Sequence, residues 1–253
     1  MRTGIAIALC IAVFTSAAHA QSDWAQLKSQ GAQAVLELGD KRHNDHPSFK
    51  WVIKMSLFDN NKKTREYKMS TWQKGQYRLV RFLEPGEVKG LSVLVRGSKM
   101  YVYSPQTDNV RRVGAHAKKQ TFMGSDLTFD DMGQVNFAVD YTAVFDKETP
   151  SHQWLSLTRK EGSGIQYKTL RVRVDKKLQL FDLVEYFDGG KKVKRQERFQ
   201  PTKMGGATVE SYRKVVVTDI KSGHKTQLFV ESQRVGDDIP NKVFKKRNLV
   251  RGN

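Results

Sequence analysis

Residues 111–131, RRVGAHAKKQTFMGSDLTFDD, interrupt an otherwise regular chain. On both sides, apolar and polar residues alternate with the period of two that marks half-buried strands. Inside the stretch the alternation stops. Arg111 and Arg112 are followed by a loop-like run, then by Phe122-Met123-Gly124-Ser125-Asp126, then by Phe129 among polar neighbours. Phe122, Met123, Leu127 and Phe129 are too apolar for a solvated loop. A long apolar loop in a β protein covers something, such as a barrel mouth or a groove. The run from Phe122 to Phe129 therefore reads as a lid, hinged at Gly124 where the backbone is freest. An arginine of the Arg111-Arg112 pair bonded to Asp126 or Asp131 would latch it. The plainer alternative makes the arginines a surface pair.

Upstream of this stretch, Phe49, Trp51, Ile53, Met55 and Leu57 alternate with Lys50, Val52, Lys54 and Ser56. Strand patterns continue through Thr64–Gln73, Gln76–Leu83, Gly90–Arg96, Lys99–Ser104 and Val110–Val113, with turn signals between them. Downstream, a weaker strand over Asn136–Phe145 is followed by six more, ending at Val235. Most connections are short Gly-, Asp- or Asn-bearing turns. The pattern predicts a mainly β chain of about eleven to thirteen strands in an up-and-down antiparallel sheet. Such a sheet must curl or close to bury one face, and a wide one leaves a cavity. Trp51, Ile53, Met55, Tyr77, Leu79, Tyr101 and Tyr103 are the expected lining. The tail from Pro240 to Arg251 is expected to dock on the sheet as a short helix or a last strand.

An amphipathic helix is expected over Ser22–Leu38. Trp24, Leu27, Gly31, Ala34, Val35 and Leu38 recur at three- and four-residue spacings, Ser22 suits the N-cap and Gly39 the stop. It packs against the sheet or plugs the barrel mouth.

Before that helix, Met1-Arg2, the apolar run Ile5–Phe14 and Ala18-His19-Ala20 have the layout of a secretory leader cleaved after Ala20. The expected organisation is a signal peptide over 1–20 and one domain over 21–253. Cys10, the only cysteine, lies within the apolar run, so the mature chain is expected to carry no disulfide and no lipid anchor. The formal net charge is +18, or +17 without Arg2. Such a chain is drawn to polyanions. Export replaces nucleic acid as the candidate with anionic lipid headgroups, lipopolysaccharide phosphates or an acidic protein. Dispersed lysines that keep a β protein soluble are the plainer account.

Several runs together carry a family likeness. They are Arg78-Leu79-Val80-Arg81-Phe82-Leu83-Glu84-Pro85, Val88-Lys89-Gly90, Tyr103-Ser104-Pro105, Val110-Arg111-Arg112 and Gln120-Thr121-Phe122-Met123-Gly124-Ser125-Asp126. In these the chain resembles the LolA-like outer-membrane lipoprotein-sorting proteins, and most closely the branch often found beside RND-type exporters. The likeness covers most of the mature chain and is most specific over Arg111–Asp131. It implies an unclosed antiparallel β barrel with helices over its mouth. It also implies a periplasmic carrier that shields the acyl chains of lipoproteins or free lipids between membranes. An inner-membrane RND-type exporter and an outer-membrane acceptor would be its partners. The mature chain is longer than the founding members, and none of their cargo-contacting residues is transferred here.

No residue cluster points to catalysis. Asp130-Asp131 is an adjacent carboxylate pair, whereas catalytic pairs flank a reacting group across space. Thr128-x-x-Asp131 instead reads as a capping box. Ser125 lacks a nucleophile elbow. His43 and His46, beside Asp45, are the only histidines near metal-ligand spacing, and they sit in a polar stretch. Lys191-Lys192-Val193-Lys194-Arg195 is a charged hairpin tip, or alternatively a contact for anionic membranes. The sequence therefore predicts a non-enzymatic carrier without cofactor, metal or nucleic-acid partner. The alternative is an exporter-associated adaptor that carries no lipid.

Overall fold

The computed structural model describes residues 24–44, 46–133, 136–203 and 210–251. Its strands are β1 (Ser48–Asp59), β2 (Lys62–Lys74), β3 (Tyr77–Glu84), β4 (Ser92–Arg96), β5 (Lys99–Ser104), β6 (Asn109–Arg112), β7 (Tyr141–Glu148), β8 (His152–Arg159), β9 (Thr169–Asp175), β10 (Leu180–Asp188), β11 (Lys191–Lys203), β12 (Glu210–Asp219) and β13 (Lys225–Val235). Asn60 and Asn61 both hold positive φ, 48° and 62°. That two-residue geometry matches the twist of a hairpin and folds β1 onto β2.

All thirteen strands form one antiparallel sheet, ordered β6-β5-β4-β3-β2-β1-β13-β12-β11-β10-β9-β8-β7. Sequential neighbours pair except β6 and β7, and β1 also pairs with β13, Met55 opposite Leu228. The meander is thus joined at its two ends and left open at one seam. The edges of that seam are β6 and β7, which are consecutive in the chain, and the barrel stays unclosed between them. Residues 113–140 connect the two edges. They carry α3 (Ala115–Lys118), the Phe122–Phe129 loop, α4 (Phe129–Gly133) and α5 (Phe137–Asp140). The stretch that breaks the alternation is therefore the one that leads from one open edge towards the other. The expected strand over Asn136–Phe145 begins as α5 and becomes β7 at Tyr141.

The N-terminal helix differs from its expected outline. Ser22 and Asp23 lie outside the described residues. Helix α1 spans 24–29, and α2 spans Ala32–His43. The break falls at Gly31, whose φ is 100°, and the helix runs through Gly39 to His43. Gly39 serves close approach rather than termination. A Cβ there would lie 2.2 Å from Cε1 of Phe181 on β10. The missing side chain is what lets α2 lie on the sheet.

Three apolar clusters hold the fold. One joins Val35 and Leu36 of α2 to Leu155, Leu157, Leu170, Val172, Phe181 and Val184. A second gathers Met55, Tyr67, Met69, Phe82, Val93, Val95 and Met100 on the inner face of β1–β5, with Phe122 laid upon them. The third is on the outer face, where Leu79, Leu94 and Tyr103 pack under Ile239, Val243, Phe244 and Leu249. The last four come from the C-terminal tail, a 3-10 turn (Asn241–Phe244) followed by α6 (Arg247–Arg251). Because β4 is covered on both faces, all of Ser92–Val95 is buried. This is why that strand lacks a solvent face. No helix among the described residues is long and apolar enough to cross a membrane.

Candidate ligand-binding cavity

The inner face of the sheet encloses a cavity of about 330 Å³. Period-two geometry decides what lines it. Trp51, Ile53 and Met55 of β1, Met69, Thr71 and Gln73 of β2, and Arg78 and Val80 of β3 face inward. Val215 of β12 and Leu228 and Val230 of β13 continue the wall, which Gln196 and Arg198 of β11 complete. Met55, Leu228, Val215 and Arg198 are successive partners across four strands, so one cross-strand row ends in a guanidinium. Phe122, Leu127 and Met132 cover the cavity from the loop and α4, and Asp40, His43 and Asn44 enter from the end of α2.

Three of the seven residues expected to line a cavity do so: Trp51, Ile53 and Met55. The other four face away. Leu79 and Tyr103 are buried in the outer cluster, Tyr101 packs against it, and Tyr77 is 40% exposed beside Phe244. The reason is parity. The two-residue turns at 75–76 and 97–98 pair residue n with n+3, as in Lys74 with Tyr77 and Arg96 with Lys99. Each such turn exchanges odd for even on the inward face. Thr71 is thus opposite Val80, and the inward residues of β3 are Arg78 and Val80.

The covering loop is a small closed hairpin. Thr121 bridges Thr128, and the Phe122 amide donates to the Leu127 carbonyl at 2.8 Å. Met123 and Gly124 form its tip with φ of 54° and 72°. Ser125 Oγ turns inward and donates to the Phe122 carbonyl at 2.6 Å. Phe122 is buried, with its ring 4.9 Å from Phe129 and 5.6 Å from Phe82. Of the run from Phe122 to Phe129, Phe122 and Leu127 line the cavity, and the residues between them form the hairpin tip.

Asp126 and Asp131 are bonded to groups other than the expected Arg111 and Arg112. Arg111 and Arg112 are exposed on edge strand β6. Asp126 accepts from Thr226 Oγ1 at 2.7 Å and is hydrogen-bonded to His224 Nδ1 at 2.8 Å, both on or beside β13. Asp131 pairs with Lys194 of β11 at 2.6 Å, and both side chains are buried. Lys194 also lies over the rings of Tyr167 and Tyr186. Asp131 completes the capping box as well, accepting from the Thr128 amide at 2.7 Å while its own amide donates to Thr128 Oγ1 at 3.2 Å. Lys194 consequently does not belong to an exposed basic tip. Lys192 and Arg195 of the same hairpin are paired with Glu185 and Glu197, each at or under 2.8 Å.

A polar rim surrounds the C-terminal end of α2. Arg78 donates to Gln73 Oε1 at 2.7 Å and to the Met132 carbonyl of α4 at 2.7 Å. Gln73 Nε2 donates to Asn44 Oδ1 at 2.9 Å. Next to Asn44, His43 Nε2 accepts from the Phe181 amide at 3.3 Å and lies 2.9 Å from Nη1 of Arg198. This arrangement places the imidazole proton on Nδ1. Burial, then the Arg198 charge, holds His43 well below its usual range, so it is neutral. Burial also raises Asp40 to about 6, against the amide bonds from Ala138 and Phe137 that favour its charge. Arg78 is lowered by burial to about 10 and still carries its proton at neutral pH. His43 and His46 have different neighbours, since the His46 ring packs edge-on to Phe49. Among the described residues no group of three or more His, Cys, Asp or Glu side chains is placed to hold a metal.

Neither Arg78 nor Arg198 was among the residues expected from the sequence to line the cavity. Arg198 lies in the run KKVKRQERFQ, where a cation resembles any solvated strand residue. Only the inward parity of β11 would have distinguished it.

A family model described only as an uncharacterized protein matches residues 74–251. No curated protein sequence matches the chain. A DUF1329 family protein from Desulfovibrio piger is similar in structure, with a TM-score of 0.77 at 22% identity, over 87% of this chain and 99% of that one. A putative outer membrane lipoprotein-sorting protein domain from Vibrio parahaemolyticus gives 0.74 at 18%, over 88% and 99%. A LolA superfamily protein from Nitrosomonas europaea gives 0.72 at 20%, over 86% and 98%. At these identities the likeness establishes the fold.

Proposed function

We propose that this chain, which belongs to the family whose model matches residues 74–251 and is similar in fold to a LolA superfamily protein and a lipoprotein-sorting domain, is a carrier that shields an acyl chain in its cavity during transfer through the periplasm. The observation that carries this reading is the cover. Phe122, Leu127 and Met132 close a cavity whose opposite wall is Ile53, Met55, Met69, Val80 and Leu228. An apolar wall under an apolar cover suits a hydrocarbon tail. The mature chain starts after Ala20 in this reading, an RND-type exporter or another inner-membrane protein supplies the cargo, and an outer-membrane site receives it. No chemical step is assigned to the site.

The second reading is an exporter-associated adaptor without lipid cargo. Its support is the exposed apolar surface of Val144 and Phe145 on edge strand β7, with Val139 close by. One experiment separates the two. Protein purified without detergent is examined by native mass spectrometry and then titrated with a fluorescent fatty-acyl probe. A carrier retains lipid or binds the probe saturably, and an adaptor does neither.

A further inference from the structure

Arg78 and Arg198 both line the cavity, and neither is ion-paired to a carboxylate among the described residues. Arg78 bonds the Gln73 amide oxygen and the Met132 carbonyl. Arg198 bonds the Phe181 carbonyl at 2.8 Å and the neutral His43 ring. With the Gln196 amide oriented by its hydrogen bonds, its oxygen accepts from Arg198 Nε and Nη2 at 3.3 and 3.0 Å. Every one of these acceptors is uncharged.

The nearby carboxylates are engaged elsewhere. Asp131 has Lys194 and the Thr128 cap. Asp182 has Arg173 and His152. Asp40 also lines the cavity; its carboxylate accepts from the Ala138 amide at 2.6 Å and acts on Arg198 through space without forming an ion pair with it. The end of α2 offers the guanidiniums the partial negative charge of a helix C-terminus, which eases two full charges without neutralising them. Enclosed cations with no carboxylate bonded to them are costly to keep. Guanidinium groups facing a chamber are also the standard means of gripping a carboxylate or a phosphate in a defined orientation.

Resting on the carrier reading, we propose that the cargo is a single-chain anionic amphiphile, whose carboxylate or phosphate headgroup seats between Arg78 and Arg198 while its tail lies on the apolar wall. The two halves of the cavity then have one occupant. The tail covers Ile53, Met55 and Leu228, and the headgroup supplies the directly bonded anion the arginines lack. About 330 Å³ is the size of a site for one small ligand. The cross-strand row from Met55 to Arg198 runs from one half to the other.

The test uses the full mature chain, stripped of bound lipid, and competition against a fluorescent acyl probe at about pH 8, where a fatty acid headgroup in water is ionised. Dodecanoic acid, dodecyl phosphate and dodecanol share one tail and differ in the headgroup. The acid or the phosphate is expected to bind about tenfold or more tightly than the alcohol, and their order identifies which anion is preferred. In Arg198→Gln that ratio collapses towards one, while Arg198→Lys retains part of it. Wild-type protein that binds the alcohol as tightly as both anions overturns the headgroup assignment and leaves the carrier reading standing. A preserved ratio in both Arg198→Gln and Arg78→Gln overturns it too. If none of the three competes and the probe itself fails to bind, the carrier reading falls, and this assignment with it.

Discussion

The lid latch gives a quantitative expectation. Lys194 and Asp131 are 6% and 7% exposed and 2.6 Å apart, one on β11 and the other on α4. Replacing Lys194 with Met keeps the stem that lies against Tyr167 and Tyr186 and removes the charge. Breaking one side of a buried pair costs ~3–5 kcal/mol because the other charge is left without a partner. Asp131 keeps its bonds from the Thr128 amide and hydroxyl, so the lower end, ~3 kcal/mol, is expected. That penalty applies only while the lid is shut, since an open α4 returns Asp131 to water. At about 1.4 kcal/mol per factor of ten, Lys194→Met raises the open population by roughly a hundredfold. Stopped-flow exchange of a fluorescent acyl probe should accelerate in both directions. Amide hydrogen exchange should rise over residues 120–133 while the strands keep their protection. Adding Asp131→Asn should bring both back towards wild type, because no buried charge then remains. Wild-type exchange in a folded Lys194→Met protein would refute the latch. Arg111→Ala and Arg112→Ala should exchange like wild type, as both arginines are exposed and the lid carboxylates are held by other groups.

Three other perturbations examine other parts of the molecule. Gly39→Ala puts a methyl group 2.2 Å from the Phe181 ring and should cost ~1–3 kcal/mol, visible as a lower melting temperature. Asp40 has a folded pKa raised from 3.8 to about 6, so its contribution to stability is full below the unfolded value and is lost as pH rises through about 6. Asp40→Asn should therefore melt higher than wild type at neutral pH, by an amount on the order of 1–3 kcal/mol, and show no gain near pH 4; a gain of equal size at both pH values would contradict this. Met55→Asp should abolish probe binding by a folded protein, whereas Leu79→Asp should destabilise the outer cluster without placing a charge in the cavity. Denaturant melts and probe titrations of the pair distinguish the two faces.

How much of this was legible depends on the range of the physics. The turns act locally, so strand count, hairpins and the antiparallel meander follow from residues such as Asn60-Asn61 and Gly189-Gly190. The capping box at Thr128 and Asp131 is equally local. Inward parity was legible in part. A two-residue turn always exchanges odd for even, which assigns Leu79 to one face once Thr71 is assigned to the other; Tyr101 joins Leu79 only because the longer β3–β4 connection sets Leu79 opposite Leu94. The β-bulge between Leu57 and Phe58 offsets the exchange made by the Asn60-Asn61 turn, and no residue there announces it. The latch was beyond reach for a different reason. Arg111 and Arg112 are close to the lid in sequence, yet a residue on an open edge need not face the interior. Lys194 and His224 reach Asp131 and Asp126 only because β13 pairs with β1, which carries the charged strands β11–β13 back to the lid. The pairing that brings the two ends of the chain together thus also makes the cavity. It sets Arg198, in a strand whose composition looks wholly solvated, into the same row as Met55, Leu228 and Val215. A charge pattern that appears on the strand as surface becomes, once the sheet curls, the polar half of a binding chamber.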